Sequence, residues 1–501
     1  MPEKTLAESS RAQAAAIAHG AASPRRWWIL AVIAVAQLMV VLDATIVNIA
    51  LPSAQTDLGF SDGSRQWIVT AYALAFASLL LLGGRIADLF GRKPAFLAGV
   101  VGFAAASALG GAANGFTMLV VARALQGAFG ALLAPAALSL LNTTFTDARE
   151  RARAFSVYGA IAGAGGAVGL LLGGVLTDAL DWRWTLYVNV VIAVVAFAGG
   201  WILLGSHRDA ADAKLDVPGT VLVATGLFAL VYGFSNAETH DWDSPLTWGF
   251  LIAGGVLLAA FAWWQTKAAH PLLPLRILLD RDRAASFLAV LITGAGMFGV
   301  FLFLTYYLQL NLGFSPTKTG LAFLPMVGAL MVTAQVATTV LLPRIGPKVV
   351  IPLGFAIATA GMAWLTGIGL DSHYLSAVLP QLVLTGVGLG MVMPPAMQLA
   401  TSGVAAEDAG VASATVNAMQ QVGGSIGTAL LNTLAASAAT DYLAGRDATD
   451  RVAGAQATIE SYTTAFWWSA VFFGAGAVLA FVLHRRGVPA QDAGAAPVVH
   501  M

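Results

Sequence analysis

The sequence predicts an all-α membrane protein with fourteen transmembrane helices. Of its 501 residues, 58% are hydrophobic and only 10% are charged. Many apolar runs reach the 18 residues or more that are typical of a helix crossing a bilayer. Pro and Gly occur inside several of these runs, which membrane helices tolerate. Together these three observations exclude a soluble enzyme with a single membrane anchor.

Charge and cysteine content narrow the function classes further. Lys plus Arg and Asp plus Glu balance at 26 each, so nothing indicates a nucleic acid or a polyanionic partner. The chain has no cysteine, which excludes a disulfide framework, a thiolate metal site and thiol chemistry. The absence of a phosphate-loop signature and of an HExxH pair disfavours an ATP-driven pump or an intramembrane enzyme. We predict no metal site.

The predicted spans follow one another from residue 27. The tail before them runs into an apolar segment that is too long for a signal peptide, so we predict a retained first helix. The spans lie near residues 27–50, 66–83, 94–113, 117–141, 154–177, 184–205, 217–235, 247–265, 286–311, 320–342, 349–369, 375–399, 409–435 and 462–484.

The basic residues indicate how these spans are oriented. If the amino terminus is cytoplasmic, 20 of the 26 Lys and Arg fall in the tails and the even-numbered connections. Five fall on the opposite side, and Arg123 lies inside the fourth span. This excess on one side follows the positive-inside rule. We therefore predict that both termini are cytoplasmic.

One acidic residue stands inside the first span, in the stretch LDATIVNIALP from Leu42 to Pro52. A carboxylate at that depth costs at least about 2.5–3.5 kcal/mol on insertion scales, which makes Asp43 a functional-site candidate. Because burial favours the neutral form of a carboxylic acid, Asp43 could take up and release a proton near neutral pH. We interpret it as a proton-coupling site, and a purely structural Asp is the alternative.

A second charge is predicted inside the fourth span. Arg123 lies about 9 Å from the outer end of its span and Asp43 about 12 Å from the outer end of its own, at 1.5 Å per residue. A buried Arg needs a partner, and Asp43 with Gln126 is best placed to supply one. We predict that these three residues form the coupling site, whereas a permanent structural ion pair is the alternative.

The two halves of the chain show a weak internal repeat. GGRIADLFGRKPAFLAG follows the second span, from Gly83 to Gly99, and LLPRIGPKVVIPLGF follows the tenth, from Leu341 to Phe355. Both join two helices through a Gly and basic residues on the predicted cytoplasmic side. Many secondary transporters are built from such repeats.

Five motifs in this order resemble the fourteen-span drug:proton antiporter family of the major facilitator superfamily. LDATIVNIALP resembles its first-helix signature, GRIADLFGRK its cytoplasmic loop motif, and LVVARALQGAFGALLAPA the motif with the intramembrane Arg. GAGGAVGLLLGG stands where the antiporter motif belongs, followed by WRWTLYVN. The second half is similar in YYLQLNLGFSPTKTGLAFLP and VGGSIGTALL. The resemblance implies the major facilitator fold, with two six-helix bundles and two inserted helices.

The resemblance also implies a conformational latch that holds the outward-open state. The glycines of the loop motif permit a tight turn. Its charged residues can pair with groups on neighbouring helix ends, including the side chains of Arg149, Arg151 and Arg153. The predicted latch residues are Gly84, Asp88, Gly91, Arg92 and Lys93. For the Arg and Lys, simple positive-inside topology is the alternative.

The fifth span has a glycine-rich face that suits a tight contact between the two halves of the chain. The residues that we assign to packing in the antiporter motif are Gly165, Gly169, Gly173 and Gly174. The sequence departs from the family at Leu170 and Val191, where Pro is usual. These departures weaken the expectation of a helix kink and of strict antiport.

Spans 9 to 13 are predicted to supply the other side of a substrate cavity. Aromatic and methionine side chains offer adaptable apolar contacts, and amide side chains avoid lipid. The candidate cavity residues are Asn48, Tyr306, Tyr307, Gln309, Gln335, Met393, Gln398, Asn417, Gln420 and Gln421. Packing or lipid contact is the alternative for each. Without an acidic residue in these spans, divalent cations are poorly suited as substrates.

The predicted organisation has five parts. A cytoplasmic tail covers 1–26, an amino-terminal six-helix bundle 27–205, two inserted helices with linkers 206–270, a carboxy-terminal six-helix bundle 271–484, and a cytoplasmic tail 485–501.

The resemblance implies a secondary active transporter, not an enzyme. It would export amphipathic drugs or antibiotics across the cytoplasmic membrane by alternating access, driven by the proton gradient without a cofactor. Its partners would be a small-molecule substrate, protons and the bilayer, with no nucleic acid, and it would be a monomer. Two alternatives stay open: a proton symporter or facilitator for a small metabolite, and a membrane sensor or lipid-handling protein without transport.

Overall fold

The protein is helical throughout the part of the chain that can be described. The computed structural model describes residues 25–61, 64–145, 148–205, 216–240, 242–269, 271–404, 409–444, 446 and 450–487, and these contain helices but no strand. The long helices are α1 (Arg25–Leu58), α2 (Trp67–Phe90), α3 (Arg92–Gly111), α4 (Phe116–Thr144), α5 (Ala148–Ala179), α6 (Trp184–Leu203), α7 (Val217–His240), α8 (Pro245–Gln265), α9 (Arg281–Tyr306), α10 (Pro316–Val336), α11 (Pro347–Leu365), α12 (Leu379–Thr401), α13 (Ala409–Leu443) and α14 (Arg451–Leu483).

Each long helix coincides with one predicted span. Twelve candidate membrane spans are found among the described residues by length and apolar composition, and α5 and α13 are not among them. Several helices extend beyond the predicted boundaries. In particular, the thirteenth span was predicted to end at 435, but α13 continues to Leu443. The fourteenth was predicted to begin at 462, but α14 begins at Arg451. These extra turns are polar, and at the start of α14 Asp450 Oδ1 accepts a hydrogen bond from the backbone N–H of Val452 at 2.9 Å.

The helices pack as two bundles with a pair between them. Helices α1 to α6 contact one another, and α9 to α14 do the same. The inserted helices α7 and α8 pack together, and α7 also contacts α2 and α13. The bundles meet mainly where α5 packs on α10 and α2 on α13. The predicted bundle arrangement is confirmed.

The glycines of the sequence repeat make the same turn in both bundles. We call the face at which α1 begins and α14 ends the terminal face, and the opposite one the far face. On the terminal face, Gly91 joins α2 to α3 with φ +100°, and Gly346 precedes α11 with φ +73°. Positive φ is disfavoured for residues with a Cβ, which accounts for Gly at both positions.

The basic residues that follow these glycines also have equivalent roles. Lys93 Nζ donates to the carbonyl oxygens of Trp201 at 2.9 Å and Leu204 at 2.6 Å, at the end of α6. In the second bundle, Lys348 Nζ donates to the carbonyl of His484 at 3.4 Å, directly after α14. A cation at a helix carboxyl end offsets the partial negative charge of the unpaired carbonyls.

An arginine at the start of each bundle binds the same helix end as the lysine. We call each such Arg–Lys pair a cationic clamp. Arg25 Nη2 donates to the carbonyl of Ile202 at 2.9 Å. Arg281 Nε and Nη2 donate to the carbonyls of Leu483 at 2.7 Å and Val482 at 2.6 Å. The internal repeat predicted from the loops is therefore present in three dimensions, as a cationic clamp on the last helix of each bundle.

Candidate functional site

Five polar side chains meet in the middle of the first bundle, surrounded by apolar helices. They come from α1, α3, α4 and α6, and they are Asp43, Ser107, Arg123, Gln126 and Asn189. Asp43 has no exposed surface and Arg123 is only 1% exposed. Buried charges on neighbouring membrane helices are costly unless they are paired and hydrogen-bonded.

The carboxylate of Asp43 accepts a hydrogen bond from each of three side chains. Arg123 Nη1 donates to Oδ2 at 2.5 Å. Gln126 Nε2 and Asn189 Nδ2 donate to Oδ1 at 2.8 Å and 2.7 Å. Three donors, one of them a guanidinium, therefore satisfy this buried carboxylate. The predicted contact of Asp43 with Arg123 and Gln126 is confirmed, and a role in proton coupling stays a prediction.

The guanidinium of Arg123 is itself held from several sides. Its Nη1 also donates to Gln126 Oε1 at 2.8 Å, and its Nε donates to the backbone carbonyl of Ile68 at 3.1 Å. Its Cζ lies 4.6 Å from the centroid of the Tyr72 ring, in cation–π geometry. Gln126 Nε2 donates further to Ser107 Oγ at 2.7 Å. The carboxylate therefore joins α1, α4 and α6, and the whole network extends to α2 and α3.

Protonation of Asp43 would change the hydrogen bonds of this site. A proton on one carboxylate oxygen would remove the negative charge opposite Arg123 and turn that oxygen from an acceptor into a donor. The amide oxygen of Asn189 is buried and has no hydrogen-bond partner within the described residues. A rotation of this amide would present an acceptor to the new O–H. The site can thus exist in two hydrogen-bonding arrangements, with and without a proton.

Asn189, Ser107 and Tyr72 of this site were not predicted from the sequence. Asn189 offered a signal, because an amide inside the apolar run of α6 avoids lipid. Nothing in the sequence distinguished Ser107 or Tyr72 from other small or aromatic residues of membrane helices. Their role depends on which helix faces are brought together.

The predicted latch residues lie at the turn between α2 and α3. Gly84 faces α4, since a Cβ on it would lie 3.4 Å from Cβ of Pro135. Lys93 contacts the end of α6 within the same bundle, as described above. The side chains of Asp88, Arg149, Arg151 and Arg153 lie outside the described residues. The latch, including Arg92, stays a prediction.

The predicted glycine face of α5 makes two different contacts. Gly165, Gly169 and Gly173 face α1, and a Cβ on Gly169 would lie 2.0 Å from Thr45 Oγ1. Gly174 faces the second bundle instead, where a Cβ would lie 2.4 Å from the carbonyl oxygen of Pro316. The helix continues through Leu170 from Ala148 to Ala179. The predicted contact between the two halves is therefore wrong for Gly165, Gly169 and Gly173, which pack within the first bundle, and is made by Gly174.

Two predicted cavity residues connect the bundles near the far face. Tyr306 Oη donates to Gln55 Oε1 at 2.6 Å, and Gln309 Nε2 donates to the backbone carbonyl of Ile49 at 3.1 Å. Gln309 stands on a π-helical turn, Tyr307–Asn311, that ends α9. The Tyr307 side chain is buried in the second bundle, where its Oη donates to the carbonyl of Gly369 at 2.9 Å. Both tyrosines are buried in this conformation. Their predicted place in the wall of a substrate cavity therefore stays a prediction for a different conformation of the protein.

The other predicted cavity residues have varied surroundings. Asn48 is buried and bonded to its own helix, through Nδ2 and the carbonyl of Ala44 at 3.2 Å. Gln335 and Gln398 are exposed. The half-buried members are Met393, Asn417, Gln420 and Gln421. A substrate role for these seven residues stays a prediction. Within the described ranges, no group of three or more His, Cys, Asp or Glu is placed to hold a metal ion.

Comparisons with known proteins agree with this architecture. The sequence profile of the Major Facilitator Superfamily matches residues 33–428. The chain is 50% identical over 478 residues to a puromycin resistance protein of Streptomyces alboniger, covering 95% of each chain. It is 40% identical over 406 residues to a cephamycin export protein of Amycolatopsis lactamdurans, covering 80% of this chain and 83% of the relative.

A solved structure shows the same fold at low sequence identity. It is a bacterial homologue of the human lysosomal transporter Spinster in an inward-facing, unoccupied conformation. The TM-score is 0.65 at 16% identity, covering 92% of this chain and 97% of the other. The two bundles, the buried polar site and these relatives lead to one conclusion: the chain belongs to the major facilitator superfamily, a family of transporters and not of enzymes.

Proposed function

We propose that the protein exports an amphipathic antibiotic or drug across the cytoplasmic membrane in exchange for protons. The observation that carries the proton coupling is the buried Asp43 carboxylate, held by Arg123, Gln126 and Asn189. The export of antibiotics is supported by the relatives, which are resistance and export proteins. The excess of Lys and Arg supports a cytoplasmic terminal face. The proton gradient is the energy source.

The contacts between the bundles support alternating access. Near the far face, Tyr306 contacts Gln55, and the Arg65 guanidinium lies 4.2 Å from the centroid of the Tyr306 ring. Gly174 packs on Pro316 between α5 and α10. These contacts close the far face, so a substrate would enter this conformation from the terminal face. Opening of the same contacts would release the substrate outside.

Helix α1 connects the proton site to the far-face contacts. It carries Asp43 in the middle, with Ile49 about 1.7 turns and Gln55 about 3.3 turns further along. Protonation of Asp43 would replace its hydrogen bonds and change how α1 is held against α4 and α6. Because Ile49 and Gln55 belong to the same helix, such a change would act on the closure between the bundles.

The test is substrate-induced proton release from the purified protein in liposomes, across a panel of cationic and neutral drugs. We expect release by the unchanged protein and loss of release in Asp43→Asn, with drug binding retained. Asp371→Asn is the control, since Asp371 is an exposed carboxylate that lies between α11 and α12. One proton per cycle is expected from one carboxylate.

Other outcomes would favour the alternatives. Proton movement in the same direction as the substrate would indicate a symporter, and flux without proton movement a facilitator. Binding without any flux would indicate a sensor or lipid-handling protein. Concentrative efflux by Asp43→Asn would contradict the assigned coupling residue.

A further inference from the structure

One face of α13 carries five uncharged polar side chains in succession. They are Asn417, Gln421, Ser425, Thr428 and Asn432, at spacings of four, four, three and four residues. Residues at these spacings lie on one side of a helix. We call this set the polar stripe, and it extends about 22 Å along α13 at 1.5 Å per residue. Because polar side chains avoid lipid, the stripe marks a side of α13 that faces the protein interior.

The polar stripe faces the first bundle. Ala418 lies three residues before Gln421 on the same side of α13, and it is buried in the apolar core of the first bundle. Ala414, one turn earlier, packs against the same core. The helix of the first bundle that packs on α13 is α2. The stripe therefore lies at the boundary between the bundles, which alternating access requires to open and close.

The two halves of the polar stripe have different surroundings. Toward the terminal face, Asn417 and Gln421 are half-buried. Toward the far face, Ser425 and Thr428 are each 1% exposed and Asn432 is 6% exposed. This gradient agrees with the contacts that close the far face. One half of the stripe is partly accessible in this conformation, and the other half is enclosed between the bundles.

Within the described residues, the hydroxyls of the enclosed half bond only to their own helix. Ser425 Oγ donates to the carbonyl of Gln421 at 2.9 Å, and Thr428 Oγ1 donates to the carbonyl of Gly424 at 2.7 Å. Each hydroxyl oxygen can still accept a hydrogen bond. A Cβ on Gly424 would have no heavy atom of the described residues within 4 Å, so there is space beside the stripe at its midpoint.

Asn432 holds a polar atom that this conformation leaves unused. Its amide Nδ2 is buried and has no hydrogen-bond partner within the described part of the chain. Ser78 on α2 is also 6% exposed, and its hydroxyl likewise has no partner there. Leaving a buried polar group unpaired is costly. A conformation that opens the boundary between the bundles would give these groups partners.

We propose that the polar stripe is a hydrogen-bonding track that the substrate follows from the terminal face to the far face. Asn417 and Gln421 bind it while the terminal face is open, and Ser425, Thr428 and Asn432 bind it once the far face opens. These side chains donate and accept hydrogen bonds without charge, so they fit hydroxyl, carbonyl and amide groups. The substrate class is therefore an amphipathic drug with such groups, and not a cation that lacks them. This inference rests on the proposed function.

Thr428→Val tests the track with a small change in shape, because a methyl group replaces the hydroxyl. Export is measured as uptake into inside-out vesicles. The probes are doxorubicin and erythromycin, which carry hydroxyl groups, and tetraphenylphosphonium, a cation without hydrogen-bonding groups. We expect kcat/KM to fall about three- to tenfold for the first two drugs, as for the loss of one hydrogen bond, and to stay unchanged for tetraphenylphosphonium.

Thr415→Val is the matched control. Thr415 is 3% exposed, and its hydroxyl donates to the carbonyl of Val411 in its own helix at 2.8 Å, as that of Thr428 does to Gly424. It lies about 140° around the helix axis from Thr428, outside the polar stripe. Its replacement should leave the export of all three probes unchanged. If Thr428→Val does not fold, Ser425→Ala tests the same half of the stripe.

Asn432→Leu separates a substrate role from a structural one. Leucine has a similar shape and needs no hydrogen bond, so the variant should melt at the same or a higher temperature than the unchanged protein. Export of doxorubicin and erythromycin should nevertheless fall several-fold. An amide that only stabilises the fold would give the opposite pattern, with a lower melting temperature and unchanged export per folded molecule.

Four results would overturn the proposal. One is an equal effect of Thr428→Val and Thr415→Val on doxorubicin export. The second is a loss of tetraphenylphosphonium export in Thr428→Val as large as that of doxorubicin. The third is a lower melting temperature of Asn432→Leu with normal export. The fourth is that the unchanged protein exports neither hydroxyl-bearing drug.

Proton release distinguishes this failure from failure of the proposed function. If the unchanged protein still releases protons with any drug, the four results reject the track and keep the proposed function. If it shows no drug-dependent proton release, both are rejected.

Discussion

The two bundles have similar contacts at the terminal face, but they bury different kinds of residue in their centres. At the terminal face, Lys93 and Lys348 have the same role on the last helix of their bundles. In the centre, the first bundle buries an ionised network around Asp43. The second bundle buries aromatic rings, with Tyr307 and Phe303 both near Tyr462. Among the described residues of α9 to α14, no Asp, Glu, Lys or Arg is buried.

This difference distinguishes the residues that stabilise the helix ends from those that are candidates for function. A helix that ends at the membrane surface needs its last carbonyls satisfied, whatever the protein does, so both halves keep a cationic clamp. A buried carboxylate in a membrane helix is a functional-site candidate by default, because burying a charge is costly. We infer that the first bundle handles the proton and that the second provides an uncharged surface for the substrate.

The largest expected effect comes from removing one charge of the central pair. Arg123→Met leaves the Asp43 carboxylate buried without its cation, and we expect a loss of about 3–5 kcal/mol in stability. In the second bundle, Tyr307→Phe removes one hydrogen bond and should cost about 0.5–1.5 kcal/mol. Unfolding of both variants in the same detergent measures the difference.

The double variant Asp43→Asn with Arg123→Gln serves as the control for the first prediction. It removes both charges and should recover part of the lost stability, because no unpaired charge is left. Equal losses for Arg123→Met and Tyr307→Phe would show that the two centres do not differ as we infer.

The next effect concerns the contact between the bundles. Gly174→Ala places a Cβ 2.4 Å from a backbone oxygen of the second bundle, and overpacking of this kind costs roughly 1–3 kcal/mol. We expect the far face to open more often, so that a thiol introduced by Tyr306→Cys is modified faster from outside. Gly166→Ala is the control, since its Cβ would meet only Thr45 Cγ2 at 4.0 Å. An equal rate in both variants would contradict the prediction.

A smaller effect tests the shared clamp. Lys93→Met removes bonds to two carbonyls, and Lys348→Met removes one longer bond. We expect losses of about 1 kcal/mol or less for each, with the larger loss for Lys93. Thermal unfolding of the two variants makes the comparison. A much larger loss for Lys93→Met than for Lys348→Met would show that Lys93 does more than cap a helix, as the predicted latch requires.

The smallest effect is a pH dependence of stability that arises in the second bundle. His484 is buried directly after α14, and burial lowers the pKa of its imidazole below the usual 6.5. The unfolded chain therefore binds a proton that the folded chain does not. The stabilising contribution is present above about pH 6.5 and is lost as the pH falls below it. We expect His484→Gln to reduce the fall in melting temperature between pH 7.5 and 5.5 by a degree or so.

Much of the site could be predicted because membrane insertion makes polar residues conspicuous. Asp43, Arg123 and Gln126 stand out in apolar spans, and their similar depth made them candidate partners because a buried Arg needs one. The same argument could have predicted Asn189, which is an amide inside an apolar span. The tyrosines were harder, because an aromatic residue suits a cavity wall, a helix interface and a bundle core equally well. Tyr306 turned out to contact the other bundle, and Tyr307 to lie inside its own.

The sequence by itself determined the class of protein, the number of long helices and the buried charged pair. It could do so because the cost of placing polar groups in lipid is large and local to each helix. Only the tertiary structure decided which faces meet. It brought Asn189 to Asp43, directed Gly174 to the second bundle and Gly169 to α1, and placed Trp182 against Asp57. These outcomes depend on helix rotation and on contacts between residues far apart in the chain, which no local pattern encodes.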